Sequence, residues 1–491
     1  MRQAPLLAAI ALAALPLHAE PKSPHPAQPL KILTEQPKEP PPAPVARVTK
    51  APEIAFEKVT LQNGLGLILH RDPSLPLVAV NIWYHVGPRN EAPGRSGFAH
   101  LFEHLMFSGS RHVGRDFDVL LESVGATNVN GTTSYDRTNY FETVPREQLD
   151  LVLWIESDRM GYLLDVVNQE LVDVQRDVVK NERRQSYENA PYGPSYLALL
   201  EALFPPGHPY NGAVIGSMAD LSAATLEDVR GFFKDYYTPS NCTIAIAGDF
   251  DPAAVKASVQ KYFGSLADRP TKPTPEPKAP PVRVGRQVVE EPVELAEVTF
   301  GYRTPPAYSK DDPIVDVAMA ILAGGKATRL YQSLVVEKKL ASDVSASQDS
   351  NQLSGIVTVG ATAATGKSAA ELETALAAQL LDLEKKGPTP VELERAKRSI
   401  LLSTLKSLEL LNGPHGESGR AGLLQRFNHY TGDPGYLSKW VEQVEKVSAA
   451  DVQRVLREHL GADKRVTVVT QPKPQAPAPA AAPAAQPEKK K

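Results

Sequence analysis

Thr225-Leu-Glu-Asp228-Val229, leading through Tyr236-Tyr237 to Thr243-Ile-Ala-Ile246, is the stretch on which the reading of the fold turns. A Ser or Thr followed three residues later by an acid, just before an apolar run, signals the start of a helix. The β-branched run beyond it reads as a strand. The same order returns at Ser448-Ala-Ala-Asp451-Val452 and Val466-Thr-Val-Val469, without a gap, at an offset of 223 residues (Thr225 to Ser448). Alternating strands recur near the start of each half, Val78-Ala-Val-Asn-Ile-Trp-Tyr84 and Val298-Thr-Phe-Gly-Tyr302. With long amphipathic helices between them, residues 390–410 among these, the pattern predicts α+β units in duplicate.

Composition sets the boundaries. Residues 1–19 join Arg2 to a short apolar stretch and end on Ala19, the pattern of a secretory signal peptide too short to span a bilayer. That predicts export, to the periplasm in a two-membrane bacterium. Residues 20–51 are a Pro-rich spacer, 269–283 a Pro-rich linker and 471–491 a Pro/Ala/Lys tail, none with the apolar content to fold. Two folded segments remain, 52–268 and 284–470. The single Cys242 excludes an internal disulfide framework, so stability must come from large apolar cores. A net charge of −4 gives no electrostatic footprint for nucleic acid.

Chemistry concentrates in Gly97-Phe-Ala-His100-Leu-Phe-Glu103-His104-Leu-Met-Phe107. The run is apolar and has no helix breaker after Gly97, so His100 and His104 stack one turn apart on one helix face. Glu103 lies beside them, free to point at a bound water. This is the inverted form of the zinc-peptidase helix, in which two His bind metal and the Glu is general base. Two ordinary histidines on an amphipathic helix are the alternative, but burying them with a Glu is costly unless something pairs them. A third ligand must come from elsewhere. The helix-like run 173–185 has an apolar face read from Val174, Val178 and Val179, and Glu182 continues that stripe. A solvated Glu182 beside Arg183 and Arg184 fits the same residues, which leave the choice open. Among the other histidines, His70 and His85 fall on strands, His112 lacks ligand spacing, and His208, His415, His429 and His459 read as surface or loop residues.

Between its spacers the chain resembles the pitrilysin/insulysin-type (M16) zinc metallopeptidases, which include the mitochondrial processing peptidase. The carriers are residues 97–109, Asn130-Gly-Thr-Thr-Ser134 with Thr138-Asn-Tyr140, and Arg176-Asp-Val-Val-Lys-Asn-Glu-Arg-Arg184 with Tyr187-Glu-Asn189. The resemblance implies two homologous α/β-roll domains forming half of a clamshell, the first catalytic. It places Zn2+ on His100, His104 and Glu182, with Glu103 catalytic. It also implies that Gln175 stands where relatives carry a second-shell Glu. Asn130, Gly131 and Thr132 fall on the substrate-docking strand; by their residues alone they read as an ordinary edge strand.

In single-chain relatives the second half supplies an Arg and a Tyr near the substrate. The matching positions here are Val335 and Ser342; Arg329 and Tyr331 lie upstream at the wrong spacing and read as packing residues. The resemblance is therefore closest to the bacterial members that work as two subunits. It implies a dimer in which a homologous partner supplies the Arg/Tyr pair, cutting peptides or unfolded polypeptide segments. A non-catalytic structural or peptide-binding subunit is the competing reading; such members typically lose the motif that this chain keeps.

Overall fold

The computed structural model describes residues 53–114, 117–274 and 280–473; the leader, the spacer before Glu53 and the tail beyond Lys473 lie outside them. The first sheet contains β1 (Glu57–Thr60), β2 (Gly66–Arg71), β3 (Leu77–Tyr84), β4 (Thr127–Thr133), β5 (Thr138–Pro145) and β6 (Cys242–Gly248). Its spatial order is β1-β2-β6-β3-β5-β4. The second contains β7 (Gly285–Glu291), β8 (Glu297–Thr304), β9 (Ala341–Asp349), β10 (Gly355–Ala363) and β11 (Val466–Pro472), ordered β7-β11-β8-β10-β9. With β1 set aside the two orders coincide strand for strand. The pairing sense coincides too: β2–β6 and β7–β11 are parallel, and every other neighbour pair is antiparallel. The repeat in the sequence is thus a repeat of topology.

The helix-start signals act as read. Thr225 Oγ1 accepts from Asp228 N at 3.2 Å while Asp228 Oδ2 accepts from Thr225 N at 3.1 Å, opening helix Leu226–Tyr236. Ser448 and Asp451 repeat the exchange at 3.2 and 3.0 Å ahead of helix Ala449–His459. Such reciprocal caps satisfy two otherwise orphaned backbone donors.

Each half lends a helix to the other's sheet. Helix Gly193–Leu203, from the first half, lies across β7, β11 and β8. Ser195 N donates to Glu291 Oε1 at 2.9 Å, and Thr470 Oγ1 donates to Ser195 Oγ at 2.6 Å. In return, helix Gly419–Thr431 lies across β2, β6 and β3. Its Ala421 and Leu424 are sealed against Ile68, Ala245 and Ala247. Gln425 Nε2 donates to the carbonyls of Asn81 (2.8 Å) and Thr243 (2.6 Å). The halves therefore share buried surface as well as a chain.

Two expectations need correction. Of the histidines read as surface or loop residues, His208 does lie in a loop but is only 5% exposed, and His429 lies on helix Gly419–Thr431 with its ring stacked on His85 at 4.9 Å. Burial lowers the His85 pKa to about 4, so this pair sits neutral between the halves. Nothing in a local pattern marks a residue that a distant segment will cover. The tail also starts later than residue 471, since β11 continues to Pro472 and Lys473 N donates to Glu291 O at 2.8 Å. Cys242 is buried and unpaired, and among the described residues no helix is long and apolar enough to cross a membrane.

Because Leu424 fills a core made by the other half, Leu424→Ala should cost about 2–5 kcal/mol. Urea unfolding should show one transition shifted as a whole; a separate, early loss of the second half alone would contradict the interlock.

Candidate metal centre

Helix Phe98–Met106 begins at Gly97, whose φ is +89°. A Cβ there would lie 2.6 Å from Ile215 O, so both conformation and space demand glycine. Glu91 caps this helix from outside the usual box, accepting from Gly97 N (3.0 Å) and Ala99 N (2.8 Å). Burial pushes its carboxyl up to about 8, against the downward pull of those amides. Sequence reasoning missed Glu91: it acts from a loop, at a spacing no capping pattern covers. Phe98, Ala99, Leu101, Phe102, Leu105 and Met106 take the buried face, which leaves His100, Glu103 and His104 on the other.

Glu182 arrives on helix Gln169–Arg183, which packs against the His helix. Its Oε2 lies 3.3 Å from His104 Nε2 and 3.8 Å from His100 Nε2. One ligand atom from each residue falls within 4.8 Å of the other two. The stripe that carries Glu182 differs from the one read in sequence. Val174 and Val178 are exposed (52% and 43%), whereas Val172 and Val179 are buried. The inward face runs through Val172, Gln175, Val179 and Glu182, so two polar residues sit on it and two valines do not. Gln175 Nε2 donates to Ser108 Oγ at 3.2 Å, tying the helix to the end of the His helix and touching none of the three candidate ligands.

Ionisation suits metal binding. Burial first, and His104 second, lower the His100 pKa to about 4, so its ring is neutral at pH 7. The hydrogen bond with His104 holds the Glu182 carboxyl below its ordinary range. A neutral imidazole and an ionised carboxylate are the forms that ligate metal.

Glu103 is set by the first sheet's edge strand. Thr133 Oγ1, on β4, donates to Glu103 Oε2 at 2.7 Å. Burial raises the Glu103 pKa while Thr133 and the charges of His104 and Arg137 oppose the rise. A Cβ on Gly131 would lie 2.9 Å from Phe107 Cε2 and 3.1 Å from Glu103 Cγ, so β4 passes directly over Glu103. Asn130 is exposed beside it. Thr132 turns to the second half, donating to Asn139 Oδ1 (2.6 Å) and His415 O (3.2 Å). Arg137 Nη1 donates to Thr132 O at 2.7 Å, and its Nε donates to Glu417 of the second half at 3.0 Å. The second half thus braces the strand above Glu103.

A second cluster, Asp311, Glu458 and His459, also brings ligand atoms within 4.8 Å. Arg454 already supplies its cation, donating to Asp311 at 2.6 and 3.0 Å and to Glu458 at 2.7 Å. Arg329 is likewise a packing residue, donating to Glu392 (2.8 and 2.9 Å) and Asp382 (2.9 Å).

Residues 67–197 match the family described as "Insulinase (Peptidase family M16)", and residues 223–400 match "Peptidase M16 inactive domain". A Helicobacter pylori protein named zinc protease PqqE is 30% identical over 427 residues, spanning 85% of this chain and 93% of that protein. A Bacillus subtilis protein named uncharacterized zinc protease YmxG is 27% identical, spanning 82% and 94%. The crystal structure of a protease from Helicobacter pylori superposes with a TM-score of 0.78 at 28% identity, covering 86% of this chain and 100% of that one. A peptidase M16 inactive domain from Pseudomonas fluorescens shares the fold, with a TM-score of 0.75 at 19% identity over 85% of this chain and 98% of that one.

Two measurements follow from the geometry. Gly131→Ala should lower peptide turnover at least severalfold by pushing β4 off Glu103, with thermal stability down by about 1–3 kcal/mol. The hydrogen bonds from Arg454 hold the Asp311 pKa at about 2, below its unfolded 3.8, so the stabilisation is present above pH 4 and is lost as pH falls through 2. Asp311→Asn should therefore unfold at lower urea at pH 6, by about 1 kcal/mol. The gap should close near pH 2; a gap that persists there would contradict the assignment.

Proposed function

Because the chain belongs to peptidase family M16, we propose that it is a zinc-dependent endopeptidase acting on peptides or unfolded polypeptide segments. The observation that carries the reading is the convergence of His100, His104 and Glu182 ligand atoms within 4.8 Å, with Glu103 alongside. Two imidazoles and one carboxylate are the donor set of a catalytic zinc site, which keeps a position open for water. A zinc ion held there supplies Lewis acidity and acidifies a water.

The chain's own residues do the rest. Thr133 fixes one oxygen of Glu103, which leaves the other to take a proton from the attacking water and pass it to the leaving amine. β4 is the open edge of its sheet, so an extended peptide can add to it through main-chain hydrogen bonds.

The second half offers Val335 and Ser342 where single-chain relatives place Arg and Tyr, and Ser342 Oγ is spent on the carbonyls of Thr362 and Ala363. That supports work in a dimer with a homologous subunit that brings the missing pair. The leader-like residues 1–19 support action in the periplasm of a two-membrane bacterium. A non-catalytic role draws support from the "inactive domain" description of residues 223–400, but that match falls outside the segment holding His100, His104 and Glu182.

Glu103→Gln should cut kcat about 10²–10⁴-fold on a quenched peptide while keeping zinc, read by metal analysis. Turnover equal to wild type would remove Glu103 from the mechanism. The purified chain alone should be markedly slower than the chain mixed with its homologous partner.

A further inference from the structure

Beside the base, the first half's Thr133, Ser134, Tyr135, Tyr187 and Tyr196 enclose a cavity of about 140 Å³ with Asp349 from the second half. One wall is therefore the residue that bonds Glu103, and burial first, then the Glu182 charge, raises the pKa of Tyr187. The cavity shares Thr133 with the site already described, and three features fix what it can hold.

The first is charge. Asp349 ends β9 with part of its surface exposed and lines this cavity, and packing around its carboxyl raises its pKa. Asn351 gives it a hydrogen bond, and among the described residues no Lys, Arg or His forms an ion pair with it. The nearby cations are already opposed: Arg137 pairs with Glu417, and Arg426 faces Glu417 and Asp316. The second is an orphan donor and acceptor, since Ser134 Oγ is buried without a hydrogen-bond partner. A buried hydroxyl left unpaired is costly, and a polar occupant would satisfy it. The third is the rings. Tyr187 and Tyr196 stack with centroids 6.4 Å apart and planes 25° apart, and the Tyr135 hydroxyl is engaged by Gly212 O at 2.8 Å, which leaves aromatic surface for a cation or an aliphatic stem.

We propose that this cavity is a side-chain subsite for a Lys or Arg of the peptide, with Asp349 as its specificity determinant. The proposal rests on the reading that Glu103 serves peptide hydrolysis. The second half, which holds none of the His100–His104–Glu182 ligands, would in this way select the substrate that the first half cuts. A neutral aromatic side chain would fill the rings but leave Asp349 and Ser134 unanswered.

The test uses the full chain and a matched set of quenched peptides differing at one residue near the scissile bond, Lys, Arg, Gln or Glu. Wild type should favour the basic peptides over Gln by about 10–100-fold in kcat/KM, the scale of a charge-assisted hydrogen bond. Asp349→Asn should bring that ratio near one, and Asp349→Lys should turn it toward Glu. The ratio is internal to each variant, so partial loss of folded protein cancels. Binding of the same peptides to Glu103→Gln, by fluorescence anisotropy, separates the two readings. Turnover with no dependence on charge overturns the subsite and leaves the peptidase standing. Charge-dependent binding abolished by Asp349→Asn, with no turnover in wild type either alone or mixed with its homologous partner, upholds the subsite and overturns the peptidase. Neither binding nor turnover overturns both.

Discussion

Two imidazoles and a carboxylate crowded onto one spot are an electrostatic arrangement that a cation resolves, and much of the first half is arranged to hold it. Glu91 and Gly97 set where the His helix begins and so which face it turns to the cleft. The inward stripe Val172–Gln175–Val179–Glu182 delivers the carboxylate from a separate helix. Burial keeps His100 neutral, and the hydrogen bond with His104 holds the Glu182 carboxyl ionised, the forms in which these two groups would ligate a divalent ion.

The second half has no part in that cluster, yet the site depends on it. Helix Gly419–Thr431 covers the back of the first sheet, and the segment just before it reaches round to β4 and β5. His415 O and Glu417 anchor Thr132 and Arg137, which flank the strand above Glu103. The duplicated domain has therefore kept the scaffold while exchanging ligands for braces. Removing the second half would uncover Ile68, Ala245 and Ala247 and free the edge strand that packs over Glu103.

Much of this was legible in the chain. The Thr225 and Ser448 caps gave away the duplication because reciprocal capping is local and repeats with the fold. The His100–His104 pair was legible because helix periodicity alone brings residues four apart together. What depended on tertiary packing was less so. Val174 and Val178 are apolar but exposed, so the stripe read from hydrophobicity pointed slightly off the face that carries Glu182. Glu91, Thr133 and Arg137 act across loops and strands, at separations no pattern encodes. His429 read as a surface or loop residue because its stacking partner, His85, lies in the other half.

The most direct test is anomalous scattering at the zinc edge from crystals of the full chain grown with zinc. The account predicts one strong peak bonded to His100 Nε2, His104 Nε2 and a Glu182 oxygen, at about 2.0–2.2 Å from each. A peak at Asp311 and His459 instead, or none near the His pair at saturating zinc, would contradict it.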